Sequence, residues 1–438
     1  MVAVEPTYEV SPTDEWGKSP ISFIPKERYT SAEYLQREKE LLWPRVWQFV
    51  GRVEQIPHPG DWFEYEIHDD SILVVRVDEA TIKAYFNSCR HRGSKIRRGH
   101  GRSTELRCPY HGWCWNLDGS IREVVDPEDF PGIENADVDL AQCRVDTWGG
   151  FVFVTMDPDT ETLAEFLDPL PSVEHLGLFR LEEMRFQSHR IIELKVNWKS
   201  ALDAFTEAYH VAGTHPQSLS RLPYERSVYD VFGRHSRSVI PAGSGPSRRW
   251  QGPKETPLEI LRSTVEVLVP LELATEEDLA LVTNLTEESL GDRSPRSVLA
   301  EIRRKRLGPW TEALSETQMI DNWNYFMFPN WNFNLYPGQM FGYRARPKGD
   351  DPGKCIFEII SLQTYPDGDA PPYEPQFIAD PLSYPNWGLA VEQDIDNLMH
   401  CVHQGMLSRS FTGLRLSSYQ EKRIRHMHEV LDTYLPTT

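Results

Sequence analysis

Two short stretches carry the residue types best suited to redox chemistry. Cys89-x-His91 and Cys108-x-x-His111 are separated by residues 92–107, and each supplies one thiolate and one imidazole. Two Cys and two His in this alternating order suit a two-iron, two-sulfide cluster. One iron takes both thiolates and the other both imidazoles, which raises the potential above that of an all-cysteine cluster. A structural zinc site competes, because zinc also accepts two Cys and two His. Zinc fingers, however, usually pair Cys with Cys and His with His, whereas each turn here is mixed. Gly93, Pro109 and Gly112 fall where tight turns must expose backbone N–H groups to sulfide, which favours the cluster.

A second set of candidates begins at Asn197-Trp198-Lys199 and runs through Glu207, His210 and His215-Pro216. The spacing predicts a helix over about 198–213, with Glu207 and His210 on one face. His215 lies five residues further on, which on a regular helix turns it away by roughly 140°. Gly213 and Pro216 predict a distortion that lets the two imidazoles converge. Two neutral imidazoles and a carboxylate make the facial triad of non-haem Fe(II) sites, which leaves positions open for O2 and substrate. The carboxylate must come from a distant stretch, and residues 391–397 offer Glu392, Asp394 and Asp396, of which Asp394 is favoured. Alone, the histidines fit a helix at a domain seam and the acidic run a solvated helix face. The cluster pattern upstream tips both towards metal.

These motifs need scaffolding, and 438 residues are enough for two domains. Alternating and β-branched runs predict strands at 61–67, 71–77, 81–86 and 149–156, an antiparallel β domain around the cluster loops. A short helix at 31–43 precedes it, and a Pro-rich polar arm precedes that. A linker with a helical patch at 159–179 leads to a strand at 185–196 and the helix after it. Residues 252–320 are charged and helical, an inserted lid. Strands resume at 322–336 and 355–365, and a long helical stretch at 386–435 breaks near 405–413. The expected domains are an arm and helix at 1–40, the cluster domain at 41–157 and a catalytic domain at 158–438.

Composition excludes several classes. Lys+Arg 46 against Asp+Glu 66 gives a net charge of −20, which argues against nucleic acid and anionic lipid as partners. No apolar run is long enough to span a membrane, and the N-terminus lacks signal-peptide character. Cys114, Cys143, Cys355 and Cys401 show no disulfide spacing and read as reduced, buried thiols of a cytoplasmic protein.

The motif C-x-H … C-x-x-H-G-W resembles the Rieske centre. Cys114 has no cysteine partner in the first loop, so the loop-to-loop disulfide of respiratory Rieske proteins is not available. With the Asn-Trp-Lys … Glu-x-x-His-x4-His helix and the Gln-Asp … Gln-x-Gly segment, residues 40–438 resemble the α subunit of Rieske non-haem iron ring-hydroxylating oxygenases. The resemblance implies an α+β architecture: a Rieske domain followed by a catalytic helix-grip (START-like) domain with an antiparallel sheet and covering helices. It implies a [2Fe-2S] cluster on Cys89, His91, Cys108 and His111, and Fe(II) on His210, His215 and Asp394. Glu207 would bridge His210 to a cluster histidine, His111, of a neighbouring subunit. The family usually has Asp there, so monooxygenation or demethylation gains weight against ring dihydroxylation.

The resemblance further implies a trimer, with or without a β subunit, that takes electrons from a ferredoxin, an NAD(P)H-dependent flavin reductase or both. No G-x-G-x-x-G loop is present to bind the nucleotide in this chain. Arg90, Arg92 and Lys95 are candidates for the docking patch, or for plain solvated charge. The leading expectation is hydroxylation of an aromatic or other cyclic hydrophobic compound. A demethylase of methoxyarenes or quaternary amines is the alternative, and an electron carrier without catalytic iron is a third. Phe205, Phe326, Phe328 and Phe333 suggest an apolar cavity, and Arg234, Arg237 and Arg248 are candidate holders of a substrate carboxylate.

Overall fold

The alternation in 61–67 forms a strand, Asp61–Ile67, which pairs antiparallel with Asp70–Arg76, and that strand with Ile82–Phe86. The computed structural model describes residues 23–365, 368, 370–385 and 387–436, so most of the expected arm lies outside the described residues. The meander belongs to a seven-stranded antiparallel sheet that also holds Gln48–Arg52, His100–Arg102, Gln142–Trp148 and Phe151–Thr155. Neither Gln48–Arg52 nor Gln142–Trp148 lies in a run that the sequence marks as a strand. Gln48–Arg52 is buried at every residue, and Gln142–Trp148 is polar and half-exposed. The cluster loops project from this sheet beside a small one built from Leu106–Arg107, Cys114–Trp115 and Ile121–Glu123.

The second domain is an eight-stranded sheet in the order Val228–Phe232, His235–Ile240, Asn322–Met327, Trp331–Tyr336, Gln339–Pro347, Cys355–Thr364, Met184–Leu194, Gln376–Ile378. All pairs are antiparallel except the last, where Gln376–Ile378 runs parallel to Met184–Leu194. The helix Trp198–Thr206 packs on its central strands and the helix Lys422–Tyr434 on Val228–Phe232 and His235–Ile240. This is the helix-grip arrangement.

One hydrophobic core runs through both domains. Phe49 of the cluster domain lies against Trp331 of the catalytic sheet, with ring centroids 4.7 Å apart. Arg344 Nη1 donates to Phe49 O at 2.7 Å across the same seam. The insertion is helical as expected, with helices Pro257–Leu268, Glu276–Thr283 and Pro295–Leu307 around a small core of its own that includes Leu261, Val298 and Met319. The N-terminal helix Ala32–Arg37 continues as a π-helical turn, Glu38–Leu42. That turn points Glu38 inward, where its carboxylate accepts from Lys199 Nζ (2.6 Å) and Trp198 Nε1 (3.1 Å). Glu38 and Lys199 are both fully buried, so the start of the site helix is pinned by an ion pair sealed from water.

Candidate metal centres

The cluster loops are two tight hairpins. In each, the glycine N–H bonds back to the cysteine carbonyl: Gly93 to Cys89 O at 2.9 Å and Gly112 to Cys108 O at 3.1 Å. Both glycines have positive φ, +76° and +81°, where a Cβ would be strained. Cys89 and Cys108 are buried and face each other within hydrogen-bonding reach. Burial pushes the Cys89 thiol up. For Cys108 burial is outweighed by backbone N–H groups of Tyr110 and His111, and the thiol falls. The imidazoles lie on the outer side, their ring centroids 4.7 Å apart; His111 is exposed, and His91 stacks on Trp113 at 5.0 Å. His91 Nδ1 is buried with no hydrogen-bond partner. Paired thiols inside, paired imidazoles outside and an orphaned ring nitrogen fit a [2Fe-2S] group, which Cys89, His91, Cys108 and His111 would hold.

The second site departs from the predicted helix in an informative way. Asn197 caps it, accepting from Lys199 N, but the helix ends at Thr206, and Glu207 is extended (φ −137°, ψ 171°). Arg423 Nη1 donates to Thr206 O at 2.8 Å and so satisfies one of the last carbonyls. Glu207 and His210 therefore do not share a face of one continuous helix. They meet because Glu207 folds back, Oε2 accepting from His210 N (3.0 Å) and Oε1 lying 2.8 Å from His210 Nδ1. A new turn, Val211–Thr214, then delivers His215 just before Pro216.

His210, His215 and Asp394 converge, with one donor atom from each lying within 4.8 Å of the others. His215 Nε2 is 3.0 Å and His210 Nε2 3.8 Å from Asp394 Oδ1. Asp394 is buried on the helix Leu389–Asn397, whereas Glu392 is exposed and Asp396, also exposed, pairs with His400. The fold thus selects one carboxylate of the three. Burial would lower the His210 pKa, but Glu207, by charge and hydrogen bond, and Asp394 raise it to about 9. Two carboxylates around two imidazoles call for positive charge at this point, as a divalent cation would supply.

Both histidines are clamped through Nδ1, which leaves Nε2 to face the third ligand. Glu207 holds His210. His215 Nδ1 lies 2.9 Å from Gln393 Oε1, which also accepts from Gln217 Nε2 at 2.8 Å. Gln393 belongs to the Gln-Asp segment that the sequence offers, but its role of holding His215 does not show there, and Gln217 escapes the sequence reading because an amide after His215-Pro216 carries no metal-site signal.

A cavity of about 170 Å3 opens beside Glu207 and His210. Phe205 lines it, stacked on Tyr343 with centroids 3.7 Å apart, together with Tyr336, Phe341, Leu271 and Leu273. Phe326, Phe328 and Phe333 are core residues, not cavity walls. The arginine candidates are also elsewhere: Arg234 bonds Glu161, Arg237 bonds Asp230, and Arg248 is exposed. At the cluster tip Arg90 and Arg92 are exposed, but Lys95 is engaged by Glu64 and Glu66. All six cysteines are free, and five are buried as expected. Cys401 is exposed, because it sits on the outer face of the π-helical turn Leu398–Val402.

Comparison with known proteins agrees with this geometry. Residues 46–135 match the family model described as Rieske [2Fe-2S] domain, and residues 181–437 that of the ring hydroxylating alpha subunit (catalytic domain). The chain is 26% identical over 211 residues to the carnitine monooxygenase oxygenase subunit of Escherichia coli (strain K12), covering 48% of this chain and 56% of the relative. It is 30% identical over 212 residues to the biphenyl 2,3-dioxygenase subunit alpha of Rhodococcus jostii (strain RHA1), covering 46% of each. The matched stretch thus spans about half the length of these curated relatives. A solved quaternary ammonium Rieske monooxygenase has the same fold, with a TM-score of 0.67 at 17% identity, covering 94% of this chain and 95% of that one.

Proposed function

The chain belongs to the family of ring-hydroxylating oxygenase α subunits, whose cofactors are a Rieske cluster and a mononuclear iron. From that premise we propose that it is the terminal component of an oxygenase that uses O2 and electrons from a separate reductase to oxidise a small organic substrate. Cys89, His91, Cys108 and His111 hold the cluster, and His210, His215 and Asp394 the iron. With iron bound, the cluster supplies electrons one at a time and the mononuclear iron supplies an open coordination face for O2 and substrate. The observation that carries this reading is the convergence of His210, His215 and Asp394 next to a cavity.

The protein's own groups have distinct tasks. Glu207 fixes the His210 ring and tautomer by taking both its backbone N–H and its Nδ1–H. In an oligomer Glu207 would also be the group placed to link His210 to a cluster histidine, His111 of the partner subunit. Tyr209 beside Glu207 and Tyr110 beside His111 are both large, exposed rings, which supports burial of these two tips against each other in a ring-shaped trimer. Gln393 and Gln217 hold His215. The walls of Phe205, Tyr336, Phe341 and Tyr343 exclude water from the substrate and give it an apolar bed. Arg90 and Arg92 offer cationic contacts to an acidic ferredoxin or reductase. Buried free thiols at Cys114, Cys143 and Cys355 support a cytoplasmic place of work.

The leading substrate is a compact aromatic or cyclic hydrophobic molecule. A second reading, oxidation of a methyl group on a quaternary amine, is favoured by the aromatic lining of the cavity, since aromatic rings attract such cations, and by the carnitine monooxygenase relative. Turnover with 18O2, a surrogate reductase and a panel of arenes, aromatic acids, methoxyarenes and quaternary amines decides between them. Two labelled oxygens in one product mean dihydroxylation; one label, or loss of formaldehyde, means monooxygenation. Uptake of O2 by iron-loaded protein that is indifferent to every class would count against the oxygenase reading.

A further inference from the structure

Arg423, on the helix Lys422–Tyr434, is fully buried, and its hydrogen bonds among the described residues run to neutral oxygens alone. Nε donates to Ser236 Oγ (3.0 Å), and Nη1 to Thr206 O (2.8 Å), Ser238 Oγ (2.9 Å) and Asn324 Oδ1 (2.7 Å). Nη2 is buried and has no partner. The nearby carboxylates are spoken for: Asp230 accepts from Arg237, and Glu207 from His210. A sealed cation without a direct counter-charge is costly. Burial draws the guanidinium down to about 9, against the pull of Tyr229, Asp230 and Glu207, so it stays charged at neutral pH.

Two of its partners, Ser238 and Asn324, line the cavity beside His210, together with Asn322 and Asn334. The donor directions matter. Ser238 Oγ accepts from Arg423, so its own O–H is left to donate into the cavity. Asn324 Nδ2 donates to Asn334 Oδ1 (2.9 Å) and Asn332 Oδ1 (2.8 Å), which fixes the Asn334 amide with its N–H side turned away from Asn324. One Asn334 N–H reaches Phe341 O at 3.3 Å, and the other is free. Away from Glu207 and His210, the cavity wall therefore presents a hydroxyl and an amide N–H, backed by a guanidinium with no carboxylate hydrogen-bonded to it among the described residues, and beside them Asn322, whose Oδ1 is buried without a partner.

We infer that the substrate carries a carboxylate, seated against Ser238 and Asn334, with the carbon to be oxidised held at the His210 end. This deepens the oxygenase reading and rests on it. A carboxylate accepts both free donors and supplies the charge that Arg423 lacks; hydrogen bonds to an ionised group are the stronger kind. Neither an unsubstituted arene nor a simple tetraalkylammonium ion does so. Within each substrate class, the inference selects the aromatic acid over the bare ring and the betaine over the simple cation.

The test uses iron-loaded protein with nitric oxide as a spectroscopic probe of the mononuclear iron. Matched pairs are titrated against the nitrosyl EPR signal: benzoate with toluene, 4-methoxybenzoate with anisole, glycine betaine with choline. At least one carboxylate is expected to perturb the signal at a concentration tenfold or more below its partner, and Ser238→Ala to erase most of that preference. The inference is overturned if no carboxylate perturbs the signal, if the partners act equally well, or if Ser238→Ala leaves the preference intact. Protein that takes up no nitrosyl-forming iron sinks the oxygenase reading itself, and is recognised by the missing signal before any ligand is added.

Discussion

The cluster loops and the mononuclear site solve the same problem, holding iron, in opposite ways. The four proposed cluster ligands come from residues 89–111 and rest on two glycine hairpins, with imidazoles on the outer side and thiols within. The triad spans residues 210–394 and exists only where a broken helix, a distant helix and the sheet meet. Its imidazoles are each clamped from behind, one by a carboxylate and one by an amide. A centre that hands electrons on needs an exposed edge. A centre that manages O2 needs enclosure and ligands fixed in advance. Local chain geometry suffices for the first, and the second depends on packing far away.

That contrast can be broken most sharply at the ligands. Asp394→Ala is expected to abolish product formation and leave the visible absorption of the cluster intact, while Cys108→Ser loses that absorption. If Asp394→Ala bleached the cluster as well, the two centres would not be independent. Next in size is the anchor of the site helix. Lys199→Met strands the Glu38 carboxylate in the core and should cost about 3–5 kcal/mol, read by denaturant unfolding. A loss below about 1 kcal/mol would mean that water reaches Glu38.

The clamps come third. Gln393→Leu removes the acceptor that orients His215 and should weaken iron binding at the triad by roughly 10–100-fold, measured by competition with a chelator, with cluster content unchanged. The smallest effect lies at Asp203, one turn before Glu207. Burial, with help from Glu421 and Glu207, lifts its carboxyl from the ordinary 3.8 to about 7, against the pull of Tyr29 and Lys199. The folded state then holds a proton that the unfolded chain has lost, so the contribution of Asp203 to stability is greatest at low pH and is lost as pH rises through about 7. Melting temperature should drop by a few degrees between about pH 5 and about pH 8, and Asp203→Asn should flatten that slope.

How much of this the chain announces obeys the same division. The cluster ligands are legible because their spacing is short and their chemistry narrow. The meander at 61–86 is legible because Asp61–Ile67 alternates in residue type and 71–77 is an apolar, β-branched run, although that middle strand is buried on both faces. Gln48–Arg52 is hidden because its short, mixed run of Gln, Phe, Val, Gly and Arg neither alternates nor concentrates β-branched residues, unlike the equally buried Phe151–Thr155. The break at Glu207 is hidden because the group that takes up the Thr206 carbonyl, Arg423, lies more than two hundred residues away in the chain. The same distance conceals Arg423 as the cation behind the cavity, while Arg234, Arg237 and Arg248, nearer in sequence, are engaged by Glu161 and Asp230 or exposed. Asp394 is singled out from Glu392 and Asp396 by helix phase, which a short acidic run leaves open.

The most direct test of two distinct iron centres in one chain is the iron and acid-labile sulfide content of anaerobically prepared protein, with His215→Ala alongside. Two separate centres predict about three irons and two sulfides per chain, falling to about two irons and two sulfides in the variant. One zinc without sulfide at the Cys89–His111 loops, or an iron count that His215→Ala leaves unchanged, would contradict them.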